Sequence, residues 1–353
     1  MVDVIGYDVG GANTKAAYIR VRDGKCFNAR VAVEYFPVWK HPEELADVLL
    51  KLKHQLCECK LDGIGVTMTA ELSDAYQTKR EGVNHILGCF MQAFADVPLN
   101  VLNTEGKLEP IEVALREPLG VAAANWEATG WLVAQQLKNC VVVDVGSTST
   151  SIIPIVEGQV VARGRTDLDK LLCGELVYTG SLRTNVAAIV QSIPIRDGVA
   201  SVSSELFALS ADVHLILGNI AVEDYTSETA DGRGKTMPEA FARLARVVCA
   251  DTEMLTQQEI INLAKFICNR QIQQITEGLT KVYSYTKSLV SIQVPVVVTG
   301  LGKSFLAAKA AKELSVDAIV DLGTLLPKEA VLATPAFGVA QMTADKLEGE
   351  PVK

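Results

Sequence analysis

Two aspartates, each closing an apolar run and each followed by a glycine turn, carry the chemistry legible in this chain. Asp8 stands in Ile5-Gly6-Tyr7-Asp8-Val9-Gly10-Gly11-Ala12-Asn13-Thr14-Lys15, and Asp144 in Val141-Val142-Val143-Asp144-Val145-Gly146-Ser147-Thr148-Ser149-Thr150. The two stretches align at a separation of 136 residues, Asp8 on Asp144, Gly10 on Gly146 and Thr14 on Thr150. Glycine lets backbone N–H groups come close to a ligand, and phosphate is the natural ligand of such a turn. A carboxylate at a strand end suits hydrated Mg²⁺, which keeps several waters and takes one or two carboxylates. Asp8 and Asp144 are therefore the candidate metal ligands and catalytic carboxylates. Gly10, Gly11, Asn13, Thr14, Gly146, Ser147 and Thr148 are candidates for cradling phosphate, with Lys15 as a point charge beside them. A third turn, Thr299-Gly300-Leu301-Gly302-Lys303-Ser304, follows the apolar run Val294–Val298 and adds Gly300 and Gly302. Three such turns predict one shared cleft.

Two polar stretches supply further candidates. Thr67 to Val83 packs Glu71, Asp74, Tyr76, Lys79, Arg80 and Glu81 behind an apolar strand, the place where α/β folds keep ligands, although an ordinary solvated loop has the same composition. Gly164 to Asn185 holds Arg165, Asp169 and Arg183. A guanidinium binds carboxylate or phosphate as a fork, so Arg165 and Arg183 are candidates for an anionic substrate, with surface salt bridges as the plainer alternative. The eight cysteines are scattered and read as free thiols. Cys57-Glu58-Cys59 is the one close pair, and the four histidines show no metal-ligand spacing.

The elements that must position these residues follow from periodicity. Strand 4–9, its hairpin partner 15–21 and strand 27–35 form an antiparallel meander, followed by an amphipathic helix over Pro42–Leu56 and a strand over 63–68. That β, β, β, α, β order is, by analogy, a ribonuclease-H-like half. Helices are expected over 86–94, 121–133, 203–220, 238–249, 256–288, 303–314 and 333–342. The fold class is thus α/β: two ribonuclease-H-like domains with mixed sheets flanking a central cleft, over 1–135 and 136–342, with 343–353 as a loose tail. A net charge of −9 and a pI near 5.1 argue against nucleic acid or an anionic membrane as the main partner. No apolar run approaches the length of a spanning helix and the start has no secretory pattern, so a cytoplasmic location is expected. Homo-oligomerisation is compatible with this reading.

The two Asp-x-Gly turns and the late Thr-Gly-x-Gly turn resemble the phosphate and adenosine segments of the acetate and sugar kinase, heat-shock-70 and actin superfamily. More narrowly, the Gly6–Lys15 turn, Thr67-Met68-Thr69-Ala70-Glu71-Leu72 with Glu81-Gly82-Val83, Ala123-Ala124-Asn125-Trp126, and Gly174-Glu175-Leu176-Val177-Tyr178-Thr179-Gly180 resemble the hydantoinase/oxoprolinase-like proteins of tetrahydromethanopterin-linked one-carbon pathways. The resemblance implies an enzyme of methanofuran biosynthesis, a transferase joining a furan-methyl diphosphate to γ-glutamyltyramine with Mg²⁺ as cofactor. Kinases of this fold place a hydroxyl residue just after the first Asp-x-Gly, where this chain has Gly11 and then Ala12. The departure argues for a site that grips a diphosphate on an organic group other than adenosine. The acceptor phenol, with a pKa near 10, needs a general base. Glu71, Asp74, Asp169 and Asp231 are the candidates. An ATP-dependent kinase or hydrolase and a nucleotide-gated binding protein are the alternatives.

Overall fold

A computed structural model describes residues 1–349. The first stretch of chain forms β1 (Val2–Val9), β2 (Asn13–Arg22), β3 (Lys25–Tyr35), α1 (Leu45–Leu56), β4 (Gly63–Met68), α2 (Lys79–Ala93), β5 (Leu99–Leu102), β6 (Leu108–Pro110), α3 (Ile111–Arg116) and α4 (Asn125–Ala134). Then come β7 (Cys140–Val145), β8 (Thr150–Val156), β9 (Gln159–Val160), α5 (Asp167–Cys173), β10 (Leu176–Val177), α6 (Val186–Ile189), β11 (Ser192–Ile195), β12 (Gly198–Ser201), α7 (Ser210–Ile216), α8 (Met237–Arg246) and α9 (Gln257–Leu289). The remainder is β13 (Val296–Thr299), α10 (Ala308–Glu313), β14 (Ile319–Asp321), α11 (Lys328–Leu332) and α12 (Thr334–Glu348).

Contacts gather the chain into two units. The first takes 1–139, 155–169 and the residues from Leu322 on; the second takes 140–154 and 170–321. Each is built on a mixed sheet, ordered β3-β2-β1-β4-β5-β6 in the first and β10-β8-β7-β13-β14 in the second. In both, an antiparallel meander leads into parallel neighbours, β1 beside β4 in one and β7 beside β13 in the other. This is the ribonuclease-H-like order, and the mixed α/β class matches the expectation.

In the first unit the strand period of two sorts β1 between its faces. Ile5, Tyr7 and Val9 pack with Leu45, Leu49 and Phe90, and the Tyr7 ring meets Phe90 edge-on at 5.3 Å. Gly6 lies on the other face, against α12: a Cβ there would run into the Ala336 carbonyl, and one at Gly65 would sit 2.6 Å from the Val339 carbonyl. The chain-order boundary had placed this helix in the second domain and begun a tail at 343. Its buried face, Ala336, Val339, Ala340, Met342 and Thr343, instead covers β1 and β4, and the helix continues to Glu348. Residues 350–353 of the expected tail lie outside the described residues.

The second unit surrounds its sheet with α7, α8 and the long α9, whose Thr256–Glu259 capping box fixes its start. Expected helix 203–220 reduces to α7, because Ser203 N–H donates to the Val247 carbonyl and Leu209 bridges Asn185 in extended form. A small hairpin, β11–β12, turns at Arg196. Among the described residues no helix is long and apolar enough to cross a membrane.

Candidate active site

Each unit presents its Asp-x-Gly turn at the end of the first strand of its sheet, and each turn is closed by an equivalent internal hydrogen bond. Gly10 N–H donates to the Asn13 carbonyl at 3.0 Å, and Gly146 N–H to the Ser149 carbonyl at 3.0 Å. A Cβ at Gly10 would sit 2.8 Å from the Asn13 carbonyl oxygen, so the turn requires glycine there.

In the first unit Asp8 is buried at the end of β1, opposite Lys15 on β2 and Thr67 on β4. The Thr67 hydroxyl on that face is buried without a hydrogen-bond partner, as is that of Thr14, which pairs with Val9 and faces the other side of the sheet. Phe36 and Val38 N–H groups hold the carbonyls of Ala12 and Gly11, which pins the turn from behind. Beyond β4, Thr69 N–H donates to the Val9 carbonyl, and a single 3-10 turn, Ala70–Leu72, then carries Glu71. This places Glu71 at the edge where β1 and β4 both end.

Glu71 is the most perturbed of the four candidate bases. Only 1% of the residue is exposed, and α2 closes over it through Gly82, where any Cβ would collide with the Glu71 backbone. Burial pushes its carboxyl up to about 7, against the opposing pull of the Lys79 ammonium. Lys79 Nζ stands 3.5 Å from Glu71 Oε1 and 2.5 Å from Asp167 Oδ2. Asp169, by contrast, accepts from Thr166 N–H and Oγ1 at the start of α5, and these bonds hold its carboxyl below the usual range. Its carboxylate is engaged in capping the start of α5. Asp231 is taken up by Arg243 and Arg246 in the second unit, and Asp74 is exposed.

Arg165 is likewise committed within the first unit. Its Nη1 donates to the Thr104 carbonyl at 2.7 Å and pairs with Glu127 at 3.2 Å, tying the 155–169 segment to the loop after β5. That contact engages one end of the guanidinium, while the side chain is half exposed.

In the second unit Asp144, Gly146, Ser147, Thr148, Arg183, Gly300 and Gly302 converge. Segment 180–183 braces the turn from one side. Ser181 N–H donates to the Gly146 carbonyl, and Leu182 and Arg183 N–H both donate to the Ser147 carbonyl, each at 2.9 Å. Gly180 lies so close that a Cβ would meet the Thr148 carbonyl carbon at 2.5 Å. The Arg183 guanidinium reaches the Thr148 hydroxyl at 3.4 Å. On the other side Gly300, at φ +82, brings its backbone against Asp144, leaving 2.6 Å between a would-be Cβ and Oδ1. Gly302 N–H donates to the Val145 carbonyl. The Ser181 and Thr299 hydroxyls, both buried, have no hydrogen-bond partner here. Thr67 and Thr299 fall within stretches that the sequence marks, but neither they nor Ser181 are among the expected site residues, since a buried hydroxyl left over after folding has no signature in one sequence.

A model of the hydantoinase/oxoprolinase family matches residues 62–346. The chain belongs to that family. Within it, the chain is 39% identical over 349 residues to the (4-{4-[2-(γ-L-glutamylamino)ethyl]phenoxymethyl}furan-2-yl)methanamine synthase of Methanocaldococcus jannaschii, covering 98% of both chains. It is 37% identical over 216 residues to the synthase of the same name from Methanococcus vannielii, covering 60% of this chain and 94% of that one. Among solved structures, nucleotide-free acetone carboxylase superposes with a TM-score of 0.55 at 10% identity, over 96% of this chain and 70% of that one, which speaks to the fold alone.

Proposed function

We propose that this hydantoinase/oxoprolinase family member is a transferase of methanofuran biosynthesis. It would condense (5-aminomethyl-furan-3-yl)methyl diphosphate with γ-glutamyltyramine to an aryl ether and release diphosphate. The observation that carries this reading is the 39% identity across 98% of both chains to a synthase named for that ether product.

The residues present fit Mg²⁺. Asp8 is a buried carboxylate in register with Thr67, whose buried hydroxyl is unsatisfied, and Asp144 lies against backbone that only glycine allows. Asp8 in the first unit and Asp144 in the second are each proposed as a carboxylate ligand for the ion, which would supply charge neutralisation of a diphosphate leaving group. With the Gly10 and Gly146 N–H groups closing their turns, the N–H groups of Gly11 in the first unit and of Ser147 and Thr148 in the second would be the donors for phosphate oxygens, supported by Lys15 and Arg183.

Bond making and breaking then balance simply. The methylene C–O bond breaks with its electron pair going to diphosphate, and the electron-rich furan stabilises the positive charge left on the methylene carbon. The phenol oxygen forms the new C–O bond, and its proton passes to Glu71. A base poised near 7 is well matched to this task near neutral pH. Water must be kept from the cationic carbon, which would otherwise be captured as the alcohol.

Incubated with Mg²⁺, the furan-methyl diphosphate and γ-glutamyltyramine, the protein should form the aryl ether and an equal amount of inorganic diphosphate with no ATP present. Strict dependence on ATP, with ADP appearing in step with product, would overturn the reading in favour of a kinase-like enzyme. Asp8→Asn and Asp144→Asn should each lower turnover by roughly a hundredfold to a thousandfold with the circular dichroism unchanged, and added Mg²⁺ should recover part of the loss. A variant with full activity and unchanged Mg²⁺ dependence would remove that aspartate from the mechanism.

A further inference from the structure

The Glu71 carboxylate is held in an unusual state for a buried acid. Neither of its oxygens accepts a hydrogen bond, although a lysine stands 3.5 Å away. The reason is a competitor from a distant part of the chain. Asp167, at the head of α5, takes the Lys79 ammonium at 2.5 Å, and Lys79 and Asp167 are each about one quarter exposed while the Glu71 side chain is not exposed at all. Among the described residues the charged groups facing Glu71 are Lys79 and Asp167, the first residues of α2 and α5. Glu81, the next acid on α2, turns back to accept from Gln77 N–H.

Resting on the reading of Glu71 as the acceptor's base, we propose that Asp167 is a positioning residue for the reaction: by engaging Lys79 it denies Glu71 a full ion pair and leaves that carboxylate as the proton acceptor for the phenol. Without this competitor the ammonium would turn to Glu71, and a carboxylate paired with a lysine is a weaker base. The direction of the Glu71 shift agrees, since Asp167 raises it and Lys79 lowers it.

The test reads Glu71 without turnover. In the full-length protein carrying ¹³C-carboxyl glutamate, the Glu71 resonance is assigned by its loss in Glu71→Gln and followed from about pH 5 to 9. Asp167→Asn should move its midpoint down by about one pH unit, and Lys79→Met should move it up. The rising limb of the pH–rate profile should move by the same amounts. Unchanged midpoints in both variants, with Glu71→Gln still removing the limb, would overturn the role of Asp167 and leave Glu71 as the base. Midpoints that move while the limb stays put would show that Glu71 is not the base, and the positioning role in catalysis would fall with it.

Discussion

Glu71→Gln should reduce turnover by about a hundredfold to ten-thousandfold, the usual range for losing a positioned general base. The amide keeps the size and shape of the side chain, so substrate binding should be spared. Wild-type turnover should rise with pH through about 7, as Glu71 loses its proton, and that limb should vanish in the variant. Stability should respond in the opposite sense. A carboxyl whose folded pKa is raised contributes stability that is fully present below its ordinary range near 4.5 and lost as pH rises through 7. Urea unfolding of wild type should therefore show a loss of up to about 3 kcal/mol between pH 5 and 8 from this group, which Glu71→Gln should abolish. A variant with wild-type turnover would exclude Glu71 from proton transfer, and one with unaltered pH dependence of unfolding would show that the carboxyl is not forced into its buried state.

Arg243→Met should cost about 3–5 kcal/mol of stability. Arg243 is fully buried in the second unit, where Nη2 meets Asp212 at 2.8 Å and Nη1 donates to Asp231 at 3.1 Å and to the Gly234 carbonyl at 3.0 Å. Asp212 is fully buried too, with Leu209 N–H and the Tyr225 hydroxyl donating to it. Methionine would fill most of the volume and leave that carboxylate without its cation. Burial already pushes Asp212 above the usual carboxylate range, so the variant's deficit should shrink as the pH falls and the acid is neutralised. Unfolding free energies at acid and neutral pH, together with the double variant Asp212→Leu/Arg243→Met, check the argument. The double variant should recover much of the loss, because removing both charges leaves neither stranded. Equal losses in the single and double variants would place the cost in packing and not in charge.

Much of this architecture is legible in the sequence, for reasons that also set the limit. The Asp-x-Gly turns are visible because a backbone hydrogen bond from Gly10 to Asn13, and again from Gly146 to Ser149, demands the same small residues twice. Strand β4 shows as a short run buried at every position, and helix α9 in the helical spacing of its buried residues. The extended run over 203–209 does not, because its conformation is set by partners at Asn185 and Val247. Nor does composition separate Glu71 from Asp169. Both are acids in polar stretches, and the difference comes from α2 closing over one while Thr166 and solvent receive the other. The pairing of Lys79 with Asp167 spans 88 residues, with no local pattern to announce it.

Helix α12 carries a consequence for how the protein comes into being. The face of β1 and β4 that bears Gly6 and Gly65 is covered by residues made long after those strands. As the chain leaves the ribosome, the first sheet therefore has to wait, one side bare, through synthesis of the whole second unit. A fragment ending at residue 139 should accordingly be poorly soluble, and supplying the 322–348 segment as a separate peptide should rescue it. The first unit to be started is the last that can be finished.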